Sequence, residues 1–279
     1  MAEQQRFSTY SGKLGNMIGY RRGDKHYERM KTRSYQPGEE SQKSGIEFGR
    51  GSKACALLKS AFAPLLLKAF SIDLHNRLSE KLRNIIRTGP ISLKGDRVLF
   101  DGDLGLLRGF ELNSKVRLSN LCTIPINTSV GTQQAEVAIP PFHWQDYIKA
   151  PKKAKSIKIG MCCVFVDFNT NEYTAVKAEY LQIARNETFL GGRFKIAVPD
   201  RDELAVVLVM NVFFENEGLN EGSIIEDKRY QAGVILESAH IKDGQIVEFV
   251  AEELANDVVN VVEQADAFWS LGWDEDSKF

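Results

Sequence analysis

The apolar residues of this 279-residue chain change their spacing at Gly89-Pro90. Before that point they recur at helical intervals; after it they alternate, or run on in blocks of strand length. A chain with both patterns in separate blocks cannot be all-helical or all-strand, and the segregation favours an α+β fold over an alternating α/β one. The clearest helix carries Leu74, Leu78, Leu82, Ile85 and Ile86 on one stripe, with Ser71 or Asp73 placed to cap its start and Gly89-Pro90 to stop it. Lys81, Arg83 and Arg87 near its end suit the helix dipole. An earlier helix is predicted from about Glu39, with Ile46, Ala54, Leu57, Leu58, Ala61 and Phe62 on one face and Pro64 bending or ending it. Gly45, Gly49 and Gly51 weaken its first half, each by roughly 1 kcal/mol relative to alanine. The two helices make a hairpin over residues 39–90.

From residue 91 the pattern is extended. Strands are predicted at Asp96–Phe100, Val116–Leu118, Glu136–Trp144, Ser156–Phe168, Glu172–Ile183, Arg193–Val198, Ala205–Glu215, Tyr230–Ile241 and Gln245–Val250. Asn169–Asn171 and Asp243-Gly244 read as hairpin turns. Many short strands without intervening helices predict an antiparallel immunoglobulin- or fibronectin-like β-sandwich over residues 91–250, with Trp144 as a core aromatic. After it, Leu254, Val258, Val261, Val262, Ala265, Phe268 and Trp269 return to helical spacing. The chain is therefore read as α+β, mainly β, closing with an amphipathic helix in an acidic segment, 251–279.

Ahead of the hairpin lies a glycine-punctuated arm, residues 1–38. Within it Arg22-Gly23-Asp24-Lys25 offers a turn between two short strands, Asn16–Arg21 and Lys25–Lys31. A hairpin that short is marginal alone in water, so it must lie on the protein or complete itself on another molecule.

The formal net charge is −1, from 36 basic and 37 acidic residues, but the distribution is uneven. Residues 1–35 hold Arg6, Lys13, Arg21, Arg22, Lys25, Arg29, Lys31 and Arg33 against Glu3, Asp24 and Glu28. The last thirty hold Glu252, Glu253, Asp257, Glu263, Asp266, Asp274, Glu275 and Asp276 against Lys278. Such ends are either separately solvated or complementary. Phe268, Trp269, Trp273 and Phe279 beside the acidic residues suit an anchor that docks.

Catalytic signatures are missing. Gly38 to Ser44 ends in Lys-Ser like a phosphate loop but has Gln42 where that loop needs glycine, and no strand precedes it. Gly12, Gly15 and Gly19 have the wrong spacing for a dinucleotide fingerprint. His26, His75, His143 and His240 are scattered, and Cys55, Cys122, Cys162 and Cys163 lack metal-type spacing. The cysteines read as reduced core residues, with Cys162 and Cys163 on opposite faces of one strand. No cofactor or metal is implied. A hydrolase built from dispersed residues would need His143 or His240 joined to a carboxylate and a hydroxyl. The start of the chain has no signal-peptide pattern and no stretch is long enough to span a bilayer, so cytoplasmic synthesis and no membrane association are expected.

Gly12-Lys13-Leu14-Gly15-Asn16-Met17-Ile18-Gly19-Tyr20, followed by Gly23, Tyr27 and Arg29, resembles a family of uncharacterised bacterial proteins, found mostly in Bacteroidota, that share a domain of unknown function. The resemblance continues through Phe48, Asn84-Ile85-Ile86, Gly89-Pro90 and Phe142–Trp144 to near Tyr230. It implies an N-terminal arm, a helical hairpin and a fibronectin-like sandwich, and carries no catalytic residues across. The acidic C-terminal segment is additional to that pattern.

Together these features predict a non-enzymatic structural or assembly protein, of the kind that builds virions or appendages, self-associating or binding another structural protein. The predicted contacts are Lys13, Tyr20, Arg21, Arg22, Lys25, Tyr27, Arg29 and Arg33 in the arm, with Phe268, Trp269, Trp273 and Phe279 at the other end. Nucleic acid is the rival partner, because the arm interleaves tyrosines with cations.

Overall fold

The structure is a computed structural model that describes residues 10–31, 36–63, 65, 73–175, 179–216 and 223–251. Residues 1–42 and 43–279 form two compact units. The fold is α+β and mainly β, with antiparallel sheets.

The first unit holds a three-stranded meander: β1 (Gly12–Leu14), β2 (Met17–Arg22) and β3 (Lys25–Met30). Two strands were expected and three are present. Leu14 pairs with Met17 and Arg22 with Lys25, so both turns have two central residues, Gly15-Asn16 and Gly23-Asp24. Each has glycine first, at φ +58° and +63°. Glycine in that place is what a type II′ hairpin requires, and its twist matches that of the strands.

Helix α1 (Glu39–Phe62), most of which belongs to the second unit, runs unbroken through its three glycines. Gly51 is where it meets the second helix, α2 (Leu74–Thr88): a Cβ there would lie 2.6 Å from Cγ of Arg83. Asp73 holds the N-cap position of α2 but makes no capping bond; its carboxylate pairs with Arg77 at 3.3 Å. Gly89 is the C-cap, as its position before Pro90 predicts.

The segment after α2 corrects two expected strands. Asp96–Phe100 and Val116–Leu118 do not pair; the backbone there forms short 3-10 turns at Leu99–Asp101 and Leu118–Asn120, with others at Ile91–Leu93 and Leu104–Leu107. Local polar groups hold these turns in place of a ladder. Val98 N–H donates to Asp101 at 2.7 Å and Gly105 N–H to Asp103 at 2.9 Å. At their centre Arg97, 5% exposed, donates to both carboxylate oxygens of Glu47, 6% exposed, at 2.8 and 3.0 Å. Its remaining amino group donates to the carbonyls of Arg87 and Gly89 at 3.1 and 3.2 Å.

The strands follow. β4 (Asn127–Val130), β5 (Gln134–Ile139) and a later strand, Gly192–Ala197, form a three-stranded sheet. The expected strand Glu136–Trp144 is broken at Pro140-Pro141, which have no N–H for a ladder. After them β6 (Phe142–His143) leads into a single helical turn, α3 (Trp144–Tyr147). Trp144 thus opens a helix; its burial in the core is as predicted, at 4% exposed. The large sheet contains β7 (Ala154–Asp167), β8 (Glu172–Ala175) and β9 (Glu179–Ala184). Two later short strands, β10 (Thr188–Phe189) and β11 (Gly192–Ala197), pair with β6 and β5. β12 (Glu203–Asn216), β13 (Gln231–Lys242) and β14 (Gln245–Val247) complete the large sheet in the order β14-β13-β12-β7-β8, with β9 also on β7. Asp243 and Gly244, at φ +49° and +69°, make the expected tight turn before β14.

β7 and β12 are buried along nearly their whole length because both faces of the sheet are covered. Ile157, Ile159, Cys163, Val206, Met210 and Phe214 share one apolar cluster with Val137 and Ile139 of the small sheet. The alternate residues, including Cys162, Val164, Val207 and Val209, share a second with Leu58, Phe62, Leu78 and Leu82 of the helices. One sheet therefore separates a helical layer from a second β layer. The C-terminal helix expected over residues 252–269 lies outside the described residues.

Candidate functional site

The strand register of the N-terminal meander sorts its charges by face. Side chains alternate along a strand, and directly paired residues share a side. Lys13 pairs with Ile18, Ile18 with Arg29, Tyr20 with Tyr27 and Arg22 with Lys25. One face therefore presents Lys13, Arg22, Lys25 and Arg29 around Ile18 and two tyrosines, and among the described strand residues no carboxylate shares it. Tyr20 and Tyr27 stack at 5.7 Å with planes 21° apart, and Arg29 lies 6.0 Å over the Tyr20 ring. The opposite face carries Leu14, Met17, Arg21, His26, Glu28 and Met30.

Six of the predicted arm residues thus meet on one face, and Arg21 does not. Its Nε donates to Gly23 O at 2.8 Å and its guanidinium pairs with Asp24 at 3.5 Å, so it braces the turn. Gly19 on that second face makes room for Tyr10, whose ring lies 3.0 Å from where a Cβ would stand. Burial, with Glu28 adding to it, raises the Tyr10 hydroxyl's pKa. Arg33, Phe268, Trp269, Trp273 and Phe279 lie outside the described residues.

A second grouping was not predicted as a set. His240 Nε2 lies 3.1 Å from Glu203 Oε1, which Lys242 also meets at 3.2 Å, and the imidazole stacks on Phe100 at 4.6 Å. Burial lowers the His240 pKa, and the bond to Glu203 only partly opposes this. Ser238 lines the same cleft of about 480 Å³, but its hydroxyl donates to the Leu104 carbonyl at 2.7 Å. The cleft is lined by His240 but not by Glu203, whose carboxylate is held between His240 and Lys242, and the Ser238 hydroxyl is spent on a backbone acceptor. His143 instead meets Thr188 at 2.7 Å, in the open two-strand ladder. The pairing of His240 with Glu203 is invisible in the sequence, since it depends on β12 and β13 being neighbours in register.

The cysteines are all free and buried. Burial pushes the thiols of Cys122 and Cys162 up to about 11 and that of Cys163 higher. Native protein at pH 8 should therefore resist a thiol-specific chromogenic reagent, with all four thiols reacting promptly in denaturant; fast labelling without denaturant would contradict this burial.

Among the described residues no cluster of His, Cys, Asp and Glu has the geometry of a metal site, and no helix is long and apolar enough to cross a membrane. No protein-family model matches the chain, and no curated protein matches it significantly in sequence.

Proposed function

We propose that the chain is a non-enzymatic structural subunit that assembles through its N-terminal sheet, with the cationic tyrosine face docking on an acidic surface of another copy or of another structural protein. The single observation behind this reading is that strand register gathers Lys13, Arg22, Lys25 and Arg29 on one face, which among the described strand residues carries no carboxylate. Charge set out this way steers and orders an encounter, while Tyr20 and Tyr27 contribute flat, amphipathic contact area at low entropic cost. A virion or appendage is the context that such a part suits.

The test is oligomeric state by light scattering, for the full chain and for a chain lacking residues 1–35, at low and high salt. The full chain is expected to associate at low salt and to dissociate as the Debye length falls to roughly 3 Å at 1 M. The shortened chain is expected to remain monomeric in both. Two monomers under all conditions would defeat the proposal.

The stacked tyrosines between cations favour one rival reading, single-stranded nucleic acid. If it held, an oligonucleotide would bind with a log–log salt slope of about −3, as expected for four phosphates on a single strand, and Tyr20→Ala would weaken it. No binding at low salt would remove that reading.

A further inference from the structure

The second unit carries a recess whose chemistry complements the acidic, aromatic C-terminal sequence. Between Ser44–Phe48 of α1, the Arg83–Arg87 turn of α2 and the Ile91–Lys94 stretch lies a cleft of about 660 Å³. Its floor is the Glu47–Arg97 pair, whose carboxylate is fully engaged by Arg97 and by the Gly95 N–H at 2.9 Å. The walls are cationic, from Arg83, Arg87 and Lys94. They are also apolar: Phe48 is 53% exposed and Ile91 66%, and the Arg83 guanidinium lies 4.6 Å over the Phe48 ring. Cations around exposed apolar surface suit a ligand that is both acidic and aromatic.

Residues 252–279 have that chemistry. They hold eight carboxylates against Lys278, and Trp273 stands directly before Asp274, Glu275 and Asp276, with Phe268 and Trp269 just upstream. We infer that this segment folds back into the Phe48–Arg87 cleft of its own chain, its tryptophans on the apolar wall and its carboxylates against Arg83 and Arg87.

Two physical points favour the same chain as donor. Fully extended, a segment of about 28 residues reaches roughly 90 Å. A unit of the size of residues 43–279 has a radius of gyration of about 18 Å, so any point on its surface is within reach. A tethered ligand then works at an effective concentration in the millimolar range, which a neighbouring molecule in dilute solution does not match. The cleft is preferred to the N-terminal sheet because a tryptophan anchor needs a recess, whereas Tyr20 and Tyr27 stack on each other across neighbouring strands. The inference does not depend on assembly through that sheet.

Tryptophan fluorescence of the full-length chain tests it. Trp144 is buried, so Trp269 and Trp273 report on the segment. Wild type is expected to show acrylamide quenching well below that of a free tryptophan derivative, at a level independent of protein concentration. Arg87→Glu, at an exposed position, should lower the ratio of docked to free segment about tenfold, as anchor-and-charge contacts do when one is reversed. Phe48→Ser should do the same. Adding Asp274→Lys, Glu275→Lys and Asp276→Lys to Arg87→Glu should restore protection. Arg22→Glu with Arg29→Glu in the N-terminal sheet should leave it unchanged. Free quenching in wild type, no change in either cleft variant, or protection that grows with concentration would overturn the inference. So would loss of protection on reversing the sheet, which would put the segment there instead.

Discussion

Glu47→Ala is expected to destabilise the second unit by about 3–5 kcal/mol, because it leaves the Arg97 guanidinium buried without its carboxylate. Native domains have about 5–15 kcal/mol in all, so the loss is a large share. The pair is 6% and 5% exposed, it is bidentate, and Arg97 also satisfies two backbone carbonyls at the end of α2. Removing the acid therefore disturbs α1, the C-terminal end of α2 and the 3-10 segment at once. Replacing both residues with apolar ones of similar volume should cost much less, since no charge is then stranded. Urea unfolding followed by circular dichroism measures both, and a Glu47→Ala loss below about 1 kcal/mol would show the guanidinium to be solvated.

The pair also sets an acid limit on stability. Burial alone would raise the Glu47 pKa, but hydrogen bonds from Arg97 and the Gly95 N–H, with the nearby positive charge, outweigh it and hold the pKa below the ordinary carboxyl value. With the folded pKa depressed, the stabilisation is complete above the unfolded value of about 4.3 and is lost as pH falls through the folded pKa. The wild type should therefore lose stability below about pH 4 more steeply than the doubly apolar variant.

Phe214→Ala is expected to cost a similar amount, about 3–5 kcal/mol, for a different reason: it opens a cavity in close-packed core. Phe214 is fully buried on β12 and meets Trp144 and Tyr230 edge-on, each at 6.4 Å. Phe214→Leu keeps most of the volume and should cost less than about 1.5 kcal/mol. The urea midpoint reads the loss. With Trp269→Phe and Trp273→Phe in the background, a shift in the Trp144 emission maximum distinguishes local repacking from global change, and an alanine variant as stable as the leucine one would show that the site collapses freely.

Helix α2 was legible in the sequence because Leu74, Leu78, Leu82, Ile85 and Ile86 obey a local period, and all five are buried. The late hairpins were legible because Asn171, Asp243 and Gly244 are residue types that tolerate the positive φ they adopt. Strands at 96–100 and 116–118 were misread because a short apolar run looks the same in a strand as in a 3-10 turn; side chains such as Asp101 and Asp103, bonding backbone N–H groups, decided the matter. Asn211 illustrates the rest. In the apolar run of β12 it looks out of place, yet its amide donates to Leu65 O at 2.8 Å. Its partner across the ladder, Gly160, has no side chain, and a Cβ there would stand 2.6 Å from the Tyr180 ring.

By itself the sequence determined the secondary-structure class, the hairpin turns, the buried reduced cysteines and the opposite charges of the two ends, because each follows from local period, residue type or composition. Tertiary structure decided what lies on which face. Strand register put Lys13, Arg22, Lys25 and Arg29 together and moved Arg21 away, and helix packing opened the Phe48–Arg87 cleft above Glu47 and Arg97. Those juxtapositions join residues up to about fifty positions apart, as for Glu47 and Arg97, and no local pattern encodes them.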